Sequence, residues 1–517
     1  MSSQLLQIES YRKGITFSFF FNLLAKGLLF AISLAIAYFF GAKTEADMYF
    51  YCLLTVRLLT SPFIALNSTV IIPEAMRLRT QEGERASMAF ANLYLALLFA
   101  VGLVVLLISS TVPTHFMGMV SQFDSKTIAD NSSITLFIGP LALLTLLSTC
   151  QIEILNSYRF FTLPMIASMA NSAVTLGFLF LFHRRWGITS LLAGAVAAQA
   201  LQIVALSLLM FKSLSWRPVL AFFSIGRRQW IDMVCGFSGN LSTILATFLP
   251  VYFLSGFAPG GVATVTYAQR IADLISVVVT VQFLSVAGIK FNELFHQRNW
   301  IRANEIALST ARFLYFLLFP ITIYCLVFRL EIVKTLFRRG AFDKMAAIQA
   351  APVMAWFCLP LVLMAVNALA WRVFISAQLV RKTFWYLVSI NTLMALATFL
   401  GIRFLGVIGY PIGFCAVQVV NVILLYGVFR RVLPVVDYLA ILRGTLHLLP
   451  ASLILLFVLF GAHYAVVGIR PIWAVAFGGL VLCVTWPLLN HFLKLNSDFT
   501  LLMESMQKAL KRDEETI

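Results

Sequence analysis

Ser190–Met210 reads SLLAGAVAAQALQIVALSLLM, without one charged side chain. A polypeptide of this length, wound at 1.5 Å per residue, spans roughly 30 Å, the thickness of a bilayer's hydrocarbon core. The segment is apolar all round. A strand of an outer-membrane barrel would instead alternate apolar and polar residues over about ten positions. The stretch therefore predicts a transmembrane helix, and 89–112 repeats the pattern, again without a charge.

The whole chain has the same character. Of 517 residues 61% are hydrophobic and 11% charged, and mean hydropathy is +0.92. A soluble protein carries about 25% charged residues to cover its surface. Spans are expected at 15–40, 47–73, 89–112, 133–155, 164–183, 188–211, 229–255, 262–289, 305–328, 347–371, 383–402, 409–428, 443–462 and 472–493. The expected fold is an all-α polytopic membrane protein of about fourteen transmembrane helices. The first apolar run, from Ile15, is too long for a cleavable signal and leads directly into a second span. No connection is long enough for a soluble domain.

The formal charge of +17 does not call for nucleic acid, because the basic residues lie between spans. They set topology and meet anionic headgroups. Arg12 and Lys13, Arg77, Arg79 and Arg85, Lys212, Arg217, Arg227 and Arg228, and Lys290, Arg298 and Arg302 fall on alternate connections. Arg381 and Lys382, Arg430 and Arg431, and the tail Lys508, Lys511 and Arg512 complete that side. The excess favours both termini in the cytoplasm. Against the trend, Arg329, Lys334, Arg338, Arg339 and Lys344 cluster in one outside connection. This segment reads either as an interfacial amphipathic helix on anionic lipid or as a cationic rim meeting an anionic substrate.

Charges inside spans matter most, since each costs several kcal/mol unless a partner, a wet cavity or the interface receives it. Lys26, Arg57, Arg270 and Arg312 fall inside the expected spans. Arg312 is near enough to an end to snorkel. Asp273 stands three residues after Arg270 and offers it a neutralising partner on the same face. Asp47 and Asp232 stand near span ends, as caps or interface residues. Lys26 and Arg57 have no obvious acidic match, which fits a hydrated cavity that holds an anion such as a diphosphate. Pro62, Gly139–Pro140, Gly236, Gly239, Pro250 and Pro360 interrupt spans and are candidate hinges.

Neither a metal cluster nor a disulfide framework is indicated by the seven scattered cysteines, and no Walker A, HExxH or GxSxG pattern appears. No cofactor is expected. A weak repeat of roughly 220 residues aligns Asn156–Pro164 and Asn171 with Ser376–Thr383 and Asn391. It divides the chain into lobes at 1–220 and 221–435, two extra helices at 436–495 and a cytoplasmic tail at 496–517.

Several motifs resemble the MurJ/MviN lipid II flippase family of the MOP exporter superfamily. They are Phe40-Gly41-Ala42 with the helix start at Asp47-Met48-Tyr49-Phe50, Tyr267-Ala268-Gln269-Arg270-Ile271, and Leu336-Phe337-Arg338-Arg339-Gly340-Ala341-Phe342. Leu155-Asn156 with Arg159-Phe160 and Pro164 is a fourth. The similarity spans most of the first twelve helices. It implies two six-helix lobes around a central cavity, with two further helices beside a lipid-facing groove. It also implies export of an undecaprenyl-diphosphate-linked glycan across the bacterial inner membrane by alternating access, with no bond made or broken. Its implied partners are that substrate, membrane lipids and cell-envelope glycan synthesis proteins.

On this resemblance the substrate-binding residues are Lys26, Arg57 and Arg270, supported by Asp47, Asp273, Arg338 and Arg339. Arg270 matches a cavity arginine of the family, and Lys26 replaces another. The family's Arg-Asp pair later in the first helix falls on Ile32 and Ser33, and its second-helix arginine falls near Thr60 or Ser61, one turn from Arg57. These departures leave a lipid-linked exopolysaccharide or O-antigen unit open beside lipid II. A multidrug exporter would need deep carboxylates, whereas Glu153 and Asp232 sit near span ends. A polytopic glycosyltransferase would need outside acids, and the candidates are Asp124, Asp130, Glu331 and Asp343.

Overall fold

The computed structural model describes residues 11–67, 72–158, 160–219, 227–377, 379, 383–433 and 436–496. Arg159, Arg381, Lys382 and the tail cations lie outside them, as do the side chains of Arg12, Lys13, Arg228 and Asp232. The described residues form helices and turns, with no strand among them.

The first ten helices are α1 (Tyr11–Phe40), α2 (Thr44–Leu66), α3 (Ile72–Gln81), α4 (Glu84–Thr111), α5 (Pro113–Val120), α6 (Ser125–Asp130), α7 (Ser132–Thr135), α8 (Ile138–Ser157), α9 (Thr162–Trp186) and α10 (Thr189–Leu214). Next come α11 (Arg227–Leu254), α12 (Gly261–Ile275), α13 (Gln282–His296), α14 (Trp300–Val327), α15 (Arg329–Phe337), α16 (Lys344–Cys358) and α17 (Leu361–Ser376). The last are α18 (Phe384–Leu405), α19 (Gly409–Val432), α20 (Tyr438–Leu446), α21 (Leu449–Ala465) and α22 (Pro471–Leu493). Side-chain caps fix several starts. Asp124, Asn299, Asp343 and Asp437 accept from the backbone N–H groups of Thr127, Arg302, Ala346 and Ala440, satisfying first-turn donors that otherwise lack partners.

Twelve helical segments are long and apolar enough to span, and α16 with α17, bent by 42°, makes a thirteenth. The bend falls at Pro360, one of the expected hinges. One of the twelve runs 49 residues from Phe384 to Val432, roughly 74 Å if straight, but it is two spans. The chain turns at Gly406 (φ +67°), and the backbones of Gly401 and Gly409 lie so close that a Cβ on either would strike the other's carbonyl. Beyond the turn, Tyr386 of α18 donates to Asn421 of α19. With that division, the described residues hold the fourteen expected spans.

The eighth span departs from expectation. α12 and α13 join through a π turn at Ser276–Val281, within one 36-residue span, Gly261–His296. No glycine or proline marks the turn. A π turn leaves the regular hydrogen-bond ladder and commonly sits at functional positions. The connection 113–132 is also more structured than a loop, since α5 and α6 occupy it.

The chain forms two compact units. Unit 1 holds residues 1–266, 339–342 and 387–410; unit 2 holds 267–338, 343–386 and 411–517. In unit 1, α1 packs on α9 and α2, α2 on α11 and α8, and α8 on α4 and α10. Leu98, Leu146, Cys150, Ile154 and Leu206 form the centre of its core. Hydrogen bonds cross between helices. Gln151 Nε2 donates to Ser207 Oγ at 2.8 Å, and Asn171 Nδ2 donates to Gln202 Oε1 at 2.7 Å.

In unit 2, α14 is the hub, packed on α13, α17, α20 and α21. Trp486 of α22 donates to the Phe316 carbonyl at 2.9 Å, and Tyr324 donates to the Val475 carbonyl at 2.7 Å. These bonds fasten α22 to α14. The cationic segment forms α15, which buries Ile332, Val333 and Phe337 against its neighbours and leaves Arg329 and Arg338 exposed.

Candidate functional site

Two of the familiar motifs meet inside unit 1. The N–H of Ala341 donates to the Tyr38 carbonyl at 2.8 Å, so the Arg339–Phe342 turn docks on the end of α1. Glycine makes this approach possible. Gly340 (φ +60°) and Gly41 (φ +67°) face the other segment's backbone, and a Cβ on either would be driven into the Tyr38 or Ala341 carbonyl oxygen. Gly260 (φ +85°) abuts the Ala42 carbonyl in the same way. All three conformations belong to the region that side chains disfavour.

Asp47 completes this clasp. Its Oδ2 accepts from the Gly260 N–H and its Oδ1 from the Ala263 N–H, both at 2.6 Å. The carboxylate thus caps α12 from a different helix. It is 2% exposed, with each oxygen engaged by a backbone donor. At this position Asp47 complements the positive end of a helix.

Depth below the clasp places the cations. Lys26 lies fourteen residues before the end of α1 at Phe40, roughly 21 Å. Arg57 lies thirteen residues into α2, roughly 20 Å. Arg270 lies nine residues into α12, roughly 14 Å. Lys26 and Arg57 are exposed, and neither takes a hydrogen bond or ion pair among the described residues. Arg270 is partly buried, and its Nε is enclosed without a hydrogen-bond partner. Asp273, one turn on, is exposed. Guanidinium and ammonium groups held this far from a span end can receive an anion through charge-assisted hydrogen bonds.

Unit 1 also carries polar pairs whose partners the sequence does not indicate. Ser61 Oγ of α2 donates to Asn240 Oδ1 of α11 at 2.7 Å. Asn391 Nδ2 of α18 lies 3.1 Å from both Ser242 Oγ and Thr243 Oγ1. Isolated Asn and Ser residues in apolar runs are common, and only the fold reveals these as cross-helix pairs. Three of the acids weighed for a glycosyltransferase have local tasks: Asp124 and Asp343 cap α6 and α16, and Glu331 Oε2 faces His463 Nε2 at 3.3 Å.

A family model described as Lipid II flippase MurJ matches residues 36–481. The chain belongs to this family. The probable lipid II flippase MurJ of Borreliella burgdorferi is 21% identical over 445 residues, covering 83% of this chain and 84% of that protein. A solved lipid II flippase MurJ in an inward closed conformation shares the fold, with a TM-score of 0.76 and 16% identity over 93% of this chain and 99% of that one. An inward-facing multidrug resistance MATE family transporter of the MOP superfamily matches with a TM-score of 0.64 and 13% identity, over 79% and 94% of the two chains. This is a multi-pass membrane protein of a transporter family, built on a fold shared across the MOP superfamily.

Proposed function

We propose that this protein moves lipid II from the inner to the outer leaflet of the bacterial inner membrane. The observation that carries the reading is the set of cations at mid-span: Lys26 and Arg57 take no hydrogen bond or ion pair among the described residues, and Arg270 Nε is enclosed without a hydrogen-bond partner. The diphosphate supplies the charge they lack. Its oxygens accept from the ammonium of Lys26 and the guanidinium groups of Arg57 and Arg270, while the polyprenyl tail stays in lipid. Arg338 and Arg339, at the start of the docked turn, act as a cationic rim on the outer side.

The positive-inside bias puts both termini in the cytoplasm and the clasp on the periplasmic side. The clasp then closes the outer exit while the headgroup enters from below, and it opens when the lobes rock. The moving lobes are the two repeats, 1–220 and 221–435, with 436–495 appended and 496–517 as the tail. A recurring bond supports the repeat. Gln151 of α8 bonds to α10 and, about 216 residues on, Asn367 of α17 donates to Gln418 of α19 at 2.6 Å. Without a nucleotide-binding motif, the drive is an ion gradient, the membrane potential or downstream consumption of the product.

Complementation of cells depleted of their lipid II flippase tests this reading. Rescue with lipid II appearing on the outer leaflet is the expected result. A well-expressed protein that fails to rescue assigns the transport to another polyprenyl-linked glycan.

A further inference from the structure

Arg372, near the end of α17, was not among the residues singled out by sequence, because it falls one position past the span expected at 347–371. The structure gives it a particular setting within unit 2. α17 packs on both the π turn and α13, and the Arg372 guanidinium crosses α13 directly over Gly288. A Cβ at Gly288 would clash with the guanidinium Nε. That Nε is buried without a hydrogen-bond partner, and no hydrogen bond or ion pair reaches the guanidinium among the described residues. One turn further, Ser376 is 6% exposed, and its hydroxyl is also buried and unpartnered. Residues four apart share a helix face, so α17 presents a cation and a hydroxyl together, both with donors to spare.

A second arginine at a helix end serves as a comparison. In unit 1, Arg79 donates to the Ser157 carbonyl at 3.4 Å and to Ser157 Oγ at 3.1 Å. Its guanidinium carbon lies 3.6 Å from the centre of the Tyr158 ring. Arg79 is tied down by its own fold; Arg372 is seated by a glycine and left without acceptors.

Accordingly, we infer that Arg372 and Ser376 form a phosphate-recognition pair at the cytoplasmic end of unit 2, which takes the diphosphate of the polyprenyl-linked substrate before it reaches Arg270. The inference rests on the proposed function for its sidedness and ligand. Gly288 lies eighteen residues from Arg270 on the same span, roughly 27 Å away, so the two arginines stand at different stages of one path. The planar fork of arginine suits a phosphate in two-point contact, and the serine hydroxyl adds a third donor.

The test measures binding of undecaprenyl diphosphate and of phosphatidylglycerol to the full-length protein in nanodiscs, by native mass spectrometry. Arg372→Gln should weaken undecaprenyl diphosphate roughly tenfold or more, the scale of a lost charged hydrogen bond. Gly288→Ala, which keeps the charge but displaces the guanidinium, should act in the same direction, and Arg372→Lys should recover part of the loss. Phosphatidylglycerol binding should stay unchanged in all three. Undiminished undecaprenyl diphosphate binding in both Arg372→Gln and Gly288→Ala would overturn the inference. Equal losses for both lipids would overturn it as well, by making Arg372 a general lipid anchor. Failure of the unaltered protein to bind undecaprenyl diphosphate would instead overturn the transport reading on which it rests.

Discussion

The clasp and the mid-span cations spend polar groups in opposite ways. At the clasp, the carboxylate of Asp47 has a backbone donor on each oxygen, and glycines let main chains touch where no side chain fits. Some 14 to 21 Å further along the helices, Lys26 and Arg57 make no bond among the described residues, and Arg270 encloses a bare Nε. A satisfied buried network rigidifies, whereas unsatisfied donors in a bilayer are retained only where something else compensates them. The first region holds a shape, and the second, on the proposed function, receives an anion. Removing a group from each should therefore damage different properties.

The largest effect is expected in transport. Arg270→Gln should lower externalised lipid II by roughly 100-fold, the equivalent of one or two charged hydrogen bonds, with the melting temperature nearly unchanged. A large drop in melting temperature with normal transport would reverse the two roles. Next, Gly340→Val should strike the clasp. The left-handed backbone and the Tyr38 carbonyl together should cost about 3 kcal/mol, read as a lower melting temperature and as exposure of a cysteine placed at Ala42 to a membrane-impermeant maleimide.

Asp47→Asn keeps one acceptor but loses the charge opposite the α12 terminus. About 1 to 2 kcal/mol is expected, which should raise labelling at position 42 about tenfold. No change in labelling would remove Asp47 from the clasp. The smallest effect belongs to Asn391→Ala. Its cross-helix bonds should contribute about 0.6 kcal/mol, and transport within about twofold of normal is the expected result.

The spans were legible because transfer to hydrocarbon acts on whole segments, and 190–210 or 89–112 leave no other reading. The Pro360 bend was legible too, because proline breaks the ladder by its own chemistry. The π turn at Ser276–Val281 was not, since nothing in SVVVTV forbids a regular helix. Asp47 reads from the sequence as a cap near a span end or as a support for substrate, but the helix it caps could not be read, because its partners lie 213 and 216 residues away and only the fold brings them together. Arg270 was recognisable from its depth and its Tyr-Ala-X-Arg setting. Arg372 was not, because its meaning depends on Gly288, on another helix.

The most direct test is complementation of flippase-depleted cells by the protein and by its Lys26→Ala/Arg270→Ala double variant, with externalised lipid II measured in both. The account predicts rescue by the unaltered protein and loss of flipping in the double variant at equal protein level. Full activity of the double variant would contradict it.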